Sequence, residues 1–275
     1  MNEPNHFRRI VIASIVLSAI ATPIVVAVIA PTLPPGKATD ASSGQVFDNT
    51  VLFGLVTPIA ATIVVYFAYS LIFFRHRAEG AQEGVAIQGD RRVQAWWLAV
   101  TSIIVIFLAA FGTVELADAG SGGGQGPDPA FKPSGKAMPV QVIAQQWEFT
   151  YRYPTYGGIE TPHLELPVDQ QIALHVTSLD VIHSFWAPRL GVKADANPGV
   201  DNIAYFKPED ERTFEIRCNE LCGLWHGYMF DTGQIVSEAA FERWIHHQQR
   251  VFAPAAKVLP PYEKHYFPEP ERRGG

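Results

Sequence analysis

A membrane-anchored, all-β protein is the fold class this sequence predicts, and three observations predict it. Three long uncharged apolar runs fill the N-terminal part of the 275-residue chain: Ile10 to Ala30, Thr50 to Phe74 and Val93 to Val114. Further on, the chain turns to short stretches of alternating apolar and polar residues, broken by proline, glycine and acidic turns. Between them lies a segment containing Gly-Ser-Gly-Gly-Gly-Gln-Gly-Pro, which cannot pack as a regular element. Charged residues make up only 17% of the chain against 48% hydrophobic, low in charge for a wholly soluble protein.

Each apolar run reaches the roughly 20 residues a helix needs to cross a bilayer. Pro23 and Pro58 fall inside spans, where membrane helices tolerate a kink. The first run is the one that could be a leader, since Arg8 and Arg9 precede it and Ala19-Ile20-Ala21 is a passable cleavage site. It continues well past Ala21, so it reads as a retained helix. Positive residues favour the cytoplasmic side. Arg8 and Arg9, and then Arg75, Arg77, Arg91 and Arg92 in the second loop, place those segments inside and everything after Glu115 outside.

The chain therefore divides into an anchor over 1–117 (spans 10–30, 50–74 and 93–114), a flexible Gly/Pro-rich linker over 118–137, a head over 138–250 and a proline-rich tail over 251–275. In the head, Trp147 to Tyr153 alternates aromatics with Glu148, Thr150 and Arg152, the period of a half-buried strand. Ile172, Leu174 and Val176 alternate likewise, with His175 on the polar face and so expected in solvent. Further strands are expected over 202–206, 212–217 and 233–236, a pattern of short strands that suggests a sandwich or barrel. Ser237 can cap a closing helix whose apolar face is Phe241, Trp244 and Ile245.

The chemistry concentrates between Cys218 and Met229. Cys-x3-Cys-x3-His-x2-Met uses the only two cysteines in the chain, with His226 and Met229 at fixed offsets. Two thiolates, an imidazole and a thioether are a soft donor set that suits copper. A disulfide is the alternative for two cysteines outside the cytoplasm, but it needs neither His226 nor Met229. Upstream, His183 stands among Val181, Ile182, Phe185 and Trp186, and a buried imidazole needs a partner. With no Cys-x-x-Cys-His, no haem c is attached.

Cys-x-Glu-x-Cys-Gly-x-x-His-x-x-Met, together with Asp180-Val181-Ile182-His183-Ser184, resembles the CuA signature of cytochrome c oxidase subunit II. The resemblance implies a cupredoxin-like Greek-key sandwich or barrel carrying a binuclear copper centre. Cys218 and Cys222 would bridge the metals, His183 and His226 would each bind one copper, Met229 would be a weak ligand, and Glu220 would ligate through its carbonyl. The Glu220 carboxylate is similar to the one that helps hold magnesium or manganese at the boundary with subunit I. Trp147 matches the tryptophan that takes electrons from cytochrome c, although Glu148 and Phe149 stand where tyrosine and tryptophan are usual. Acids such as Glu209, Asp210 and Glu211, and a net charge of −6, would attract a basic cytochrome. The segment Arg92-Val93-Gln94-Ala95-Trp96 lacks the carboxylate that many relatives carry at the mouth of a proton path.

The implied function is electron relay into subunit I, where haem sits and oxygen is reduced to water with proton translocation. Subunits I and III, cytochrome c and the plasma membrane of a prokaryote are the expected partners and location; no nucleic acid is expected. A CuA-containing nitric oxide reductase subunit and a membrane-tethered copper carrier are the alternatives.

Overall fold

The computed structural model describes residues 5–33, 36–75, 89–118 and 123–256. Arg77 and the tail beyond Ala256 lie outside the described residues. Contacts divide the chain into two compact units. One holds the apolar helices (Met1–Leu33 and Phe47–Val114), the other the head together with Pro34–Val46.

In the first unit, α1 (His6–Ile24) runs on through a π turn (Val25–Ile29) and a 3-10 turn (Ala30–Thr32). The widened π turn follows Pro23, whose missing N–H interrupts the helical ladder, and the tighter 3-10 turn contains Pro31. Two more helices follow, α2 (Asp40–Phe73) and α3 (Arg91–Asp118), and among the described residues these three are long and apolar enough to cross a membrane. Around Pro58 in α2, the hydroxyls of Thr57 and Thr62 donate back to the carbonyls of Phe53 and Pro58, which gives these side chains the partners that lipid could not supply. α1 lies antiparallel to α2: the His6 ring meets Tyr69 Oη at 2.8 Å, and Asn49 Nδ2 donates to the Leu33 carbonyl at 2.5 Å.

The head contains ten strands: β1 (Met138–Gln145), β2 (Glu148–Tyr153), β3 (Ile159–Thr161), β4 (Glu165–Pro167), β5 (Ile172–Ser178), β6 (His183–Ala187), β7 (Val192–Ala196), β8 (Asn202–Phe206), β9 (Arg212–Cys218) and β10 (Phe230–Val236). They form two five-stranded sheets, ordered β3-β2-β1-β5-β8 and β4-β10-β9-β6-β7. Both are mixed, since β1 pairs parallel with β5 and β4 with β10. Inward-facing residues such as Val142, Tyr151, Leu174, Phe185, Phe214 and Ile216 make one core. The helix α4 (Glu238–Ala256) follows, with the Ser237 carbonyl accepting from Phe241 N–H. Phe241 and Ile245 are buried and Trp244 packs beside Tyr153. The anchored β-sandwich expected from the sequence is the fold found.

Three particulars differ from expectation. Residues 123–126 are not a free tether. Gly124 N–H donates to the Lys193 carbonyl on β7, Gln125 N–H to the Ile203 carbonyl on β8, and Ile203 N–H to the Gly126 carbonyl. β7 and β8 are edge strands of different sheets, so this segment closes the open side of the sandwich and satisfies edge groups that would otherwise be exposed. Second, His175 is not in solvent: its Nδ1 lies 2.8 Å from Asp201 Oδ2, and both side chains are largely buried. β5 is buried on both faces, so alternation along it does not separate inside from outside. Third, the acids Glu209 to Glu211, expected only to add negative charge that attracts a basic cytochrome, stand at the far end of β9 from Cys218: they precede its start, and Cys218 ends it. Seven residues of strand put those acids about 20 Å from the cysteine.

Pro34–Val46, the stretch that leads into α2 together with its first turns, also belongs to the head. Asp40 Oδ1 accepts from Lys207 N–H at 2.7 Å, Thr39 Oγ1 donates to the Leu190 carbonyl at 2.6 Å, and Ala38, Thr39, Ala41 and Ser42 are buried.

Candidate metal centre

The site forms where β9 gives way to β10. Along β9 the inward residues are Phe214, Ile216 and Cys218, so period-two alternation alone turns the first cysteine toward the core. Residues 219–229 then loop out through a 3-10 turn (His226–Tyr228), and Cys218 N–H closes the loop on the Met229 carbonyl at 2.9 Å. β6 lies beside β9 with Phe185 opposite Cys218, which brings His183, at the start of β6, to the open end of that pair.

The five side chains marked by the sequence converge. Cys218 Sγ and Cys222 Sγ are 3.7 Å apart, and both thiols are free, far beyond the roughly 2.05 Å of a disulfide. His183 Nδ1 is 3.8 Å from Cys218 Sγ, His226 Nδ1 is 3.4 Å from Cys222 Sγ, and Met229 Sδ is 3.8 Å from Cys222 Sγ. One ligand atom from each of His183, Cys218 and Cys222 falls within 4.8 Å of the others. His183, Cys218, Cys222 and Met229 are buried and His226 is half-buried. Glu220 presents its carbonyl oxygen 3.3 Å from Cys218 Sγ, while its side chain is exposed. Converging soft donors, spaced to share one volume without bonding to each other, fit copper.

Electrostatics prepares this donor set unevenly. Burial, the largest influence, pushes the Cys218 thiol up, but hydrogen bonds with the His183 ring, the Glu220 and Ser184 backbone and Cys222 together outweigh it and hold the thiol down to about 6. Burial, and then the adjoining Cys218, push the Cys222 thiol up to about 12. Burial pulls the His183 imidazole down, yet its bonds to Cys218 and Asp180 carry it above the ordinary value. For Asp180, burial is outweighed by the N–H of Gln146 and by His183, which hold the carboxyl below its usual range.

Trp147 is not in a strand. Gln145 pairs with Glu148, so Gln146 and Trp147 form the two-residue tip of the β1–β2 hairpin. That tip rests on the ligand loop: Gln146 Nε2 and Trp147 Nε1 both donate to the Cys222 carbonyl, at 2.7 and 3.2 Å. Gly223 permits the approach. It has φ +114°, and a Cβ there would meet Gln146 Nε2 at 2.8 Å. Phe149 and Tyr151 are buried in the core.

Sequence reasoning gave no role to Asp180, Gln146 or Gly223. A glycine directly after a ligand cysteine was the available signal for Gly223; nothing local marked the other two.

The family model for cytochrome c oxidase subunit II, periplasmic domain, matches residues 159–238. Cytochrome c oxidase subunit 2 of Thermostichus vulcanus is 29% identical over 261 residues, covering 78% of this chain and 77% of that protein. The Bacillus subtilis protein of the same name is 26% identical over 247 residues, with 86% and 67% covered. Among solved structures, the periplasmic domain of subunit II of cytochrome oxidase (CoxB) from Bradyrhizobium japonicum is 31% identical, with a TM-score of 0.42, covering 44% of this chain and 99% of that one.

Proposed function

The chain belongs to the cytochrome c oxidase subunit II family, and on that premise we propose that it is the copper-bearing subunit of a haem–copper terminal oxidase. It receives single electrons outside the membrane and passes them to haem in subunit I, where oxygen is reduced to water and protons are moved. One observation carries this reading: the second cysteine joins the cluster, whereas a single-copper site would use one thiolate, two imidazoles and a weak thioether. Cys218 and Cys222 would bridge two coppers, His183 and His226 would each hold one, and Met229 and the Glu220 carbonyl would complete the set. Copper held this way supplies a one-electron relay.

The chain's residues do the rest. Burial excludes water from both thiols and fixes the ligands, so little rearrangement accompanies a change of charge. Trp147, half-exposed and hydrogen-bonded to the Cys222 carbonyl, is the point of electron input from cytochrome c. Glu148, the next residue in the chain, and Asp180, which accepts from Gln146 N–H, place negative charge at that tip. His226 lies among exposed Leu221, Leu224, Trp225 and Tyr228, the face we assign to subunit I. The apolar helices hold the chain in the plasma membrane of a prokaryote, with the head in the periplasm and subunit III as a further neighbour. A copper carrier would present exposed, exchangeable ligands, which the burial of Cys218, Cys222, His183 and Met229 disfavours.

Replacing Trp147 with alanine in the assembled complex slows oxidation of reduced cytochrome c and leaves the copper bands intact; unchanged kinetics would move the input point elsewhere. The exposed Glu220 carboxylate suits a hard magnesium or manganese ion. Glu220→Gln therefore lowers the content of that ion in the complex while the copper spectrum survives. Loss of the copper signal would mean that the carboxylate binds copper.

A further inference from the structure

Asp180 touches both functional arms of the head. Its Oδ1 accepts from His183 Nε2 at 2.9 Å, from Val181 N–H at 2.6 Å and from Ser178 Oγ at 3.2 Å. Its Oδ2 accepts from the backbone N–H of Gln146 at 2.7 Å. The first arm fixes the tautomer of His183: with the proton on Nε2, the lone pair on Nδ1 points toward Cys218 Sγ. The second arm holds the tip of the β1–β2 hairpin, and through it Trp147, against the Cys222 carbonyl. His226 has no such support. Its Nδ1 faces Cys222 Sγ, and its other ring nitrogen has no hydrogen-bond partner among the described residues.

We propose that Asp180 is a positioning residue whose two carboxylate oxygens lock the copper-facing histidine and the electron-receiving hairpin tip to one another. The proposal rests on the copper reading of the cluster. Asp180 acts on electron input and on metal retention through separate atoms, so the two effects separate by substitution. Asparagine keeps the shape but has a single acceptor oxygen. Three donors crowd Oδ1, so the asparagine oxygen stays there. Its NH2 then opposes the Gln146 N–H, donor against donor, and the hairpin tip is released. Alanine releases both arms.

The experiment uses the full chain in its membrane complex, with wild type, Asp180→Asn and Asp180→Ala. Two quantities are read: reduction of the copper band by reduced cytochrome c in stopped flow, and loss of copper to a soft chelator. Asp180→Asn slows reduction several-fold with copper retention near wild type. Asp180→Ala slows reduction and also loses copper about 10- to 100-fold faster, the usual cost of removing such a supporting carboxylate. Wild-type reduction rates in Asp180→Asn would overturn the coupling between hairpin and histidine. Wild-type copper retention in Asp180→Ala would overturn the support of His183. A wild-type chain that carries no copper would overturn the metal reading and this proposal with it.

Discussion

The head has two aromatic-rich regions with opposite fates. On the α4 flank, Tyr153, Tyr156, Phe241 and Trp244 pack ring against ring, with centroids 5.4 Å apart for Tyr153 and Trp244 and 5.6 Å for Tyr156 and Phe241. The polar tips there are satisfied as well: Tyr156 Oη donates to Glu242 at 2.7 Å, and Gln249 Nε2 donates to the Tyr156 carbonyl. On the ligand loop and the first residue of β10, Leu221, Leu224, Tyr228 and Phe230 are 79%, 84%, 72% and 66% exposed. Trp225 and Tyr228 touch only edge to face, at 5.6 Å. Composition is alike in the two places, so hydrophobicity does not explain the difference. The loop must bend around its ligands, which turns its remaining side chains outward. A contiguous apolar surface of this kind marks a binding face. The flank is core; the loop is the exposed face proposed above to meet subunit I.

Truncating one residue on each side breaks the comparison most forcefully. Phe241→Ala costs the folded head about 3–5 kcal/mol, because a fully buried ring leaves a cavity. Tyr228→Ser changes stability by no more than about 0.5 kcal/mol, as surface substitutions do. It lowers instead the fraction of chain that co-purifies with the haem-bearing subunit. Thermal unfolding of the solubilised chain and subunit ratios of the complex read the two effects. Equal destabilisation by both substitutions would erase the distinction.

A smaller effect sharpens it. Burial first, then the hydrogen bond to Glu242, push the Tyr156 hydroxyl from 10.0 up to about 12. The folded value lies above the unfolded one, so this contribution to stability is fully present below pH 10 and is lost as pH rises through about 12. Tyr156→Phe removes part of that alkaline loss, measured as the change in Tm between pH 9 and pH 11.5. Parallel curves for the two proteins would mean that the flank is open to solvent around Tyr156.

How much of this was legible in the sequence depended on whether the signal was local. Cys218 to Met229 could be read because four ligand residues of three scarce types fall at fixed offsets within twelve positions, and the three apolar runs because each is continuous. Phe149 and Tyr151 were legible as core from alternation alone. His183 needed its apolar neighbours and a likeness to a known pattern, since its partners lie 35 residues away across a strand pair. Asp180 could not be read as a double acceptor, because Gln146 reaches it only after β1 and β5 pair. Gly120 to Lys136 looked like a tether because glycine hides what its backbone does; residues 123–126 use that backbone to bridge two sheet edges. His175 was misread because alternation shows which residues share a face, not whether that face is covered.

The central claim is that Cys218 and Cys222 together hold two coppers, and copper analysis with electron paramagnetic resonance on the purified oxidised complex tests it most directly. After subtraction of any copper bound by the other subunits, the account predicts two coppers per chain and one unpaired electron shared between them, giving a hyperfine pattern spread over two equivalent nuclei. One copper per chain with an ordinary four-line single-copper pattern would contradict it.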